Sequence, residues 1–199
     1  MTVVKKLAFG GCSLNLIPRY SIVGHAHRDH IPRNANITVV GPVQLQRNYI
    51  YIHYDDFVHL HLSDTKVVVY VCGRRFLRSV SIEKKLHTNP ILIRDVKRDE
   101  IILYVDDINV DDEEPVKKII DFLLRAYRSS FTTVLLPVYN GNSAHGAKRH
   151  KDLHDISMRL INYAISRGLK TYALAHPVIP NDLPPQAIPI PKILETLED

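Results

Sequence analysis

The segment GHAHRDH at residues 24–30 decides how this chain is best interpreted. It places four possible metal ligands within six positions, directly after the short apolar run at residues 20–23. An exposed loop that happens to be rich in histidine is the simplest alternative. So many ligand types in so short a span favour a metal site instead.

The spacing within this segment suits metal binding. His25 and His27 are two positions apart, so at the end of an extended strand both imidazoles leave on the same side and can share one ion. Asp29 and His30 come after the chain has turned, and they can point back toward a second ion. Imidazole and carboxylate are ligands that Zn²⁺, Fe²⁺ and Mn²⁺ accept, so the residue types fit a hydrolytic metal site.

The composition is that of a soluble globular protein. A chain of 199 residues with 45% hydrophobic content suits one domain with a sizeable core, and we expect a single domain over residues 1–199. No apolar run approaches the roughly 20 residues needed to cross a bilayer, and the N-terminus lacks the apolar core of a secretory signal. We therefore expect a cytoplasmic protein with no membrane partner. Its two cysteines are too few for a disulfide framework, and we expect buried thiols.

The order of elements predicts an α/β protein. Segments rich in β-branched residues are the candidate strands of the first half, at 3–9, 20–23, 37–40, 67–71 and 101–105. The second half alternates a helix after the acidic run 111–114, a strand at 132–137, a helix from about residue 151 and a strand at 170–174. Residues 177–191 contain six prolines, and we expect the segment 177–199 to be extended over the surface. This order of strands and helices predicts a sheet-rich layered structure.

Two further acids and a histidine come at the ends of predicted strands. Asp106 and Asp107 follow the strand at 101–105, and His176 follows the strand at 170–174. If these strands are neighbours, their ends bring Asp107 and His176 to the same rim as His25. Taken singly, an acid after a strand is usually a turn residue, and an isolated histidine is usually structural.

These segments resemble the metallo-β-lactamase superfamily. Residues 25–30 are similar to its H-x-H-x-D-H signature, residues 104–107 (YVDD) resemble the segment that holds its metal-bridging aspartate, and residues 173–176 (ALAH) resemble its last histidine-bearing strand. The resemblance implies an αβ/βα four-layer sandwich with one or two divalent transition-metal ions, of which zinc is favoured over manganese or iron. It also implies hydrolysis by a metal-bound hydroxide, which a metal ion makes accessible at neutral pH.

The resemblance also implies roles for individual residues. Asp29, His30 and His176 would hold one ion, Asp107 would bridge two ions, and Asp29 would also orient the hydroxide as a catalytic residue.

The site for the first ion, which His25 and His27 would hold, has no clear third histidine ligand. The family takes that ligand from a glycine-containing loop, and the corresponding residues here, 73–79, read GRRFLRS. Arginine cannot ligate a metal, because its guanidinium stays protonated. His145 is the favoured substitute, with His87 ranked below it.

The family also carries an aspartate after its first hairpin, and this residue has no clear counterpart here between residues 9 and 20. These two departures leave a second hypothesis open: a degenerate member of the fold that acts as a non-catalytic binding or scaffold subunit. Retention of the whole residue 25–30 signature favours the hydrolase.

Positive charge favours a phosphate-containing substrate. The chain carries a net charge of +5, and Arg74, Arg75 and Arg78 are its densest positive group, in a loop that we expect beside the metal site. The forked donors of Arg74 and Arg75 suit phosphate oxygens, so a phosphodiester is favoured, with RNA and DNA among the candidates. Solvated loop charges are the alternative.

Other histidine pairs have simpler explanations. His59 and His61 alternate with apolar residues, which is typical of the solvent face of a half-buried strand. His150 and His154 lie one helical turn apart, without a third ligand, and we interpret them as exposed helix residues.

Overall fold

The computed structural model describes residues 3–25, 30–31, 38–43, 48–139, 147–176 and 178–192, with the backbone alone at residues 39 and 147–150. After a short 3₁₀ helix at Val3–Lys5, a five-stranded sheet has the order β2-β1-β3-β4-β5. Its strands are β1 (Leu7–Phe9), β2 (Cys12–Ser13), β3 (Tyr20–Ile22), β4 (Thr38–Gly41) and β5 (Tyr49–Tyr51). All neighbours are parallel except β1 and β2.

A larger, seven-stranded sheet has the order β12-β11-β10-β9-β8-β7-β6. Its strands are β6 (Phe57–His61), β7 (Lys66–Val71), β8 (Ile91–Asp95), β9 (Glu100–Tyr104), β10 (Phe131–Tyr139), β11 (Lys170–His176) and β12 (Ile188–Ile190). Strands β6 to β9 form an antiparallel meander, whereas β9 to β12 are parallel. Helices α2 (Glu113–Ala126) and α3 (Ala147–Ser166) are the crossovers that parallel strands require.

The core lies on both faces of the large sheet. On one face, α2 buries the stripe Val116, Ile119, Ile120 and Leu123, and α3 packs alongside it. Each such side chain contributes about 1.5–3 kcal/mol when fully buried. The other face packs on the small sheet through a shared cluster that includes Phe9, Ile22, Val69, Ile102 and Tyr172.

The predicted α/β class with two sheets is therefore confirmed. The described residues form three layers, namely helices, large sheet and small sheet. A second helical layer, which a four-layer sandwich needs, is not among them.

One edge of the sheets collects the ends of several strands. Strand β9 ends at Tyr104, just before Asp106 and Asp107, and β11 ends at His176, which is paired in register with Tyr139 of β10. In the small sheet, β3 ends at Ile22, just before His25. The fold thus brings chemically active residues from distant parts of the chain to this edge.

Three local expectations are corrected. Residues 73–79, expected as a loop, contain helix α1 (Arg74–Ser79), because the Asp55 carboxylate accepts the backbone N–H groups of Gly73, Arg75 and Phe76 and so caps the helix from outside it. The proline-rich segment contributes β12, where Pro189 is tolerated at the sheet edge. The first predicted strand is a 3₁₀ helix followed by β1.

In the described part of the chain, no helix is both long enough and apolar enough to cross a membrane. Cys12 and Cys72 are buried free thiols, as expected.

Candidate metal centre

A buried carboxylate, that of Asp106, lies at the centre of the site. Its Oδ2 accepts hydrogen bonds from the backbone N–H groups of Gly24 (2.6 Å) and His25 (3.1 Å), and lies 3.0 Å from His25 Nδ1. Its Oδ1 lies 2.9 Å from His30 Nδ1 and accepts the hydroxyl of Tyr104. These five contacts saturate a carboxylate, which offers about four lone-pair sites. Asp106 therefore anchors the loop that begins at Gly24.

The surroundings of Asp106 keep it ionised. Burial raises its pKa and is the largest single effect, but the electrostatic attraction of His30 and the hydrogen bonds of His25 and His30 outweigh it. The pKa of Asp106 is thus held well below its usual range. Burial is also the main reason that the pKa of Tyr104 lies well above its ordinary value, so its hydroxyl remains a donor.

An ionised Asp106 determines which nitrogen carries the proton in two histidines. A carboxylate can only accept, so His25 and His30 hold their protons on Nδ1 and present Nε2 on the opposite side of the ring. His30 Nε2 faces His176 Nε2 at 3.0 Å. Two imidazole nitrogens at this distance share one proton, or they share one cation in its place.

The distance between these nitrogens fits a metal. Tetrahedral coordination at about 2.0–2.1 Å per bond requires roughly 3.3–3.4 Å between two nitrogen ligands, so a small opening would admit an ion. A cavity of about 10 Å³, lined by His30, Asp106 and His176 among others, lies beside the pair. It has room for about one water or one ion.

A second, more open cluster surrounds Asp107. Its Oδ2 lies 3.3 Å from His87 Nε2 and 3.7 Å from His25 Nε2, while its Oδ1 accepts the backbone N–H of Ile108 at 2.9 Å. One ligand atom each from His25, His87 and Asp107 lie within 4.8 Å of one another. Two imidazoles and a carboxylate form a donor set that suits zinc and similar ions, so the residues present fit the implied metal.

The position of His87 follows from its neighbour in sequence. The Thr88 hydroxyl donates to the carbonyl of Asp107 (2.6 Å) and accepts the Asp107 N–H (3.1 Å), which ties residues 87–88 to the end of β9. The His87 N–H also donates to the Asp112 carboxylate at 3.2 Å. Strand pairing is the signal that could have found His87, because Ile91 at the start of β8 lies opposite Tyr104 at the end of β9.

Two glycines allow the chain to approach Asp106. A Cβ on Gly24 would lie 2.6 Å from the Asp106 Cβ. Gly10 has φ +52°, and a Cβ there would lie 2.7 Å from Asp106 Oδ1 and 3.1 Å from His30 Nδ1. A side chain at either position would force these groups apart.

The structure brings together four of the predicted site residues: His25, His30, Asp107 and His176. The predicted residues His27, Asp29 and His145 lie outside the described residues. The anchoring role of Asp106 was not anticipated, and His87, ranked below His145, is part of the Asp107 cluster.

The predicted arginines lie on helix α1 rather than in a loop. Arg75 donates to the Asp55 carbonyl at 3.2 Å, and Arg74 lines a cavity of about 830 Å³. None of the described cluster residues His25, His87 or Asp107 lines that cavity.

The other histidine pairs are partly as expected. His59 and His61 are exposed on β6. His154 is not an exposed helix residue: its Nδ1 lies 2.7 Å from the Tyr139 carbonyl and its Nε2 lies 2.9 Å from Asp182. It joins α3 to the segment that precedes β12. The side chain of His150 is outside the described part.

The site therefore has the residues of a candidate transition-metal centre. No family model matches the sequence, and no curated protein matches it. Among solved structures, unliganded yeast PDE1 is similar, with 11% sequence identity and a TM-score of 0.41. The match covers 80% of this chain and 57% of that chain, so this chain spans little more than half the length of PDE1. A similarity of this size carries no information about activity.

Proposed function

We propose that this protein is a metal-dependent hydrolase of phosphoester bonds. The observation that carries the proposal is the convergence of His25, His87 and Asp107, whose ligand atoms lie within 4.8 Å of one another beside the His30–His176 pair. The proposed ligands are His25, His27, Asp29, His30, His87, Asp107 and His176. We assign to His87 the position of the third histidine of the first ion, for which the sequence favours His145.

The protein's own residues prepare this site. Asp106 fixes the proton of His25 and of His30 on Nδ1, so both rings direct Nε2 toward the ligand clusters. Thr88 holds His87 beside Asp107. Asp29 is proposed to orient the attacking water. When bound, one or two ions of zinc, manganese or iron would lower the pKa of coordinated water and polarise the substrate.

Nearby positive charge supports a phosphoester over a neutral substrate. Lys84 and Lys85 line the cavity of about 440 Å³ that His87 also lines, together with Asp111 and Asp112. Ammonium groups at this position attract anionic substrates and contact phosphate oxygens. Arg74 lines the adjoining cavity of about 830 Å³, which shares Lys84 and Lys85, and is proposed to hold a more distant phosphate, whereas Arg75 is directed to the Asp55 carbonyl.

Hydrolysis of two small esters tests this proposal. Wild-type protein loaded with Zn²⁺, Mn²⁺ or Fe²⁺ is expected to hydrolyse bis(p-nitrophenyl) phosphate or p-nitrophenyl phosphate. Asp107→Asn and His87→Ala should each lower kcat/KM by about 100-fold, or ~2.7 kcal/mol of transition-state stabilisation. His59→Ala removes an exposed histidine from β6 and serves as the matched control, with an unchanged rate.

Metal binding without hydrolysis of either ester would contradict the proposed function. An undiminished rate in His87→Ala would remove His87 from the ligand set and leave the third position of the first ion to another residue.

A further inference from the structure

Two cavities join the candidate metal centre to helix α1. The first, of about 440 Å³, is lined by Lys84, Lys85 and His87 among others. The second, of about 830 Å³, is lined by Tyr54, Arg74, Arg78, Lys84 and Lys85 among others. Because Lys84 and Lys85 line both cavities, the two adjoin at these residues, and we treat them together as one trough that includes His87 in the smaller cavity and Tyr54 in the larger. We call this the α1 trough.

The larger cavity of the α1 trough has an excess of positive charge, because it is lined by four cations (Arg74, Arg78, Lys84 and Lys85) and two acids (Asp55 and Glu83). The Asp55 carboxylate accepts three backbone N–H groups at the start of α1 and the Tyr70 hydroxyl, and among the described residues it forms no ion pair with these four cations. The smaller cavity is balanced in charge, because Asp111 and Asp112 line it together with Lys84 and Lys85, and Lys84 donates to the Asp111 carbonyl.

Among the described residues, three cations of the α1 trough lack an acid partner, in contrast to several other surface cations. Arg94, Arg98, Lys117, Arg159 and Arg167 each form an ion pair with an acid. Within the part of the chain that the structure describes, Arg74, Arg78 and Lys85 are exposed and form no ion pair. Unpaired like charges that converge repel one another, so the group of Arg74, Arg78 and Lys85 at the larger cavity favours an anionic ligand.

The dimensions of the α1 trough indicate a chain of phosphates rather than one phosphate. A single phosphate is held by one or two cations, whereas four cations here extend across two adjoining cavities. The Tyr54 ring is 55% exposed at the far end, where an aromatic face beside cations can stack on a base. Stacking of this kind requires an unpaired base, so it selects single strands over duplexes.

We propose that the α1 trough binds single-stranded nucleic acid, with the scissile phosphate at the metal centre, further phosphates on Lys84, Lys85, Arg78 and Arg74, and a base on Tyr54. The inference rests on the proposed function, because it names the substrate of the same site. Arg75 is directed toward Asp55 and supports the cap of α1.

Fluorescence anisotropy with labelled oligonucleotides of about 12 nucleotides, the range covered by one such groove, tests the binding. The probes are single-stranded RNA, single-stranded DNA and the corresponding duplex. The protein used is Asp107→Asn, so that the probe is not consumed. We expect it to bind at least one single strand, with an affinity that falls as salt rises.

Two changes within the α1 trough should weaken this binding. Arg78→Ala combined with Lys85→Ala should reduce the slope of log K against log[salt] by about 1.4, because each phosphate contact on a single strand contributes about 0.7. Tyr54→Ala should weaken binding by about fivefold or more, since one stacked base contributes about 1–3 kcal/mol.

Matched controls lie away from the α1 trough. Arg94→Ala combined with Lys97→Ala removes the same charge from β8 and the turn that follows it, and Tyr127→Ala removes another exposed ring. Both should bind like the parent protein. Equal losses in these controls, or duplex binding as tight as that of a single strand, would overturn the α1 trough proposal.

Ester hydrolysis separates this inference from the proposed function. A wild-type protein that hydrolyses bis(p-nitrophenyl) phosphate but whose Asp107→Asn form binds no oligonucleotide overturns the α1 trough alone. Oligonucleotide binding with no hydrolysis of the oligonucleotide or of either small ester overturns the proposed function and leaves the binding surface in place.

Discussion

Asp106 and Asp107 are adjacent acids that the fold places in opposite surroundings. Asp106 has five contacts, with three donors and two ring nitrogens, whereas the Asp107 carboxylate accepts one backbone N–H and faces His25 and His87. Both carboxylates are buried, but the loop at Gly24 fills the hydrogen-bonding capacity of Asp106, whereas Asp107 keeps capacity for a further ligand. Hence Asp106 positions the site, and Asp107 is the acid free of that structural duty.

The largest effect is expected from changing the enclosed acid. Asp106→Asn removes the charge and turns amide hydrogens toward groups that are themselves donors. The free energy of unfolding should fall by about 3–5 kcal/mol, as when one member of a buried charged pair is lost. Urea denaturation of the metal-free protein measures it. Asp107→Asn is the matched control, and an equal loss in both variants would erase the distinction between the two acids.

The second acid should show the opposite behaviour. Asp107→Asn should leave the metal-free stability within about 1 kcal/mol of wild type, because its carboxylate is lightly hydrogen-bonded. Its metal affinity should fall by at least about 10- to 100-fold, the loss typical of removing even a supporting group. Competition with a chromophoric chelator gives the affinity. An unchanged dissociation constant would show that Asp107 is not a ligand.

The surface ion pair between Arg159 and Glu113 offers a comparison for the effect on stability of the buried cluster around Asp106. The Arg159 guanidinium, which donates three hydrogen bonds to Glu113, is the main cause that lowers the pKa of Glu113 from 4.5 to about 2. A lowered folded-state pKa stabilises the fold above pH 4.5, and this contribution is lost as pH falls toward 2.

Arg159→Gln should therefore destabilise the protein at neutral pH, by about 0.2–1 kcal/mol, because Arg159 is largely exposed. The difference in stability between the variant and wild type should disappear as pH falls from 4.5 to about 2. Melting temperatures measured across this range check the effect. A difference that stays constant with pH would show that packing of Arg159, rather than its charge, stabilises α2 against α3.

Sequence patterns predicted the parts of the fold that depend on local periodicity. The α2 stripe and strands β9 to β11 have strong helical or β-branched patterns, and the structure places them as predicted. Helix α1 was missed because its cap, Asp55, lies 18 residues before Gly73 in the chain. Strand β12 was missed because tertiary pairing with β11 overrides its proline content.

The candidate site was predictable only where its ligands are close in sequence. His25 and His30 belong to one dense segment, and the ends of β9 and β11 pointed to Asp107 and His176. The contribution of His87 depends on the antiparallel pairing of β8 with β9, and that of Asp106 on the approach of Gly10 and Gly24. Both are long-range features that no local spacing encodes.

Metal content is the most direct test of the central claim, that the described histidines and acids form a transition-metal centre. The protein is loaded with Zn²⁺ or Mn²⁺, freed of excess ion and assayed by elemental analysis, alongside His25→Ala, His87→Ala and the control His59→Ala. Wild type and His59→Ala should retain about one equivalent or more, and the other two variants should lose most of it. Retention of less than about a tenth of an equivalent by wild type, or equal retention by all four proteins, would contradict the account.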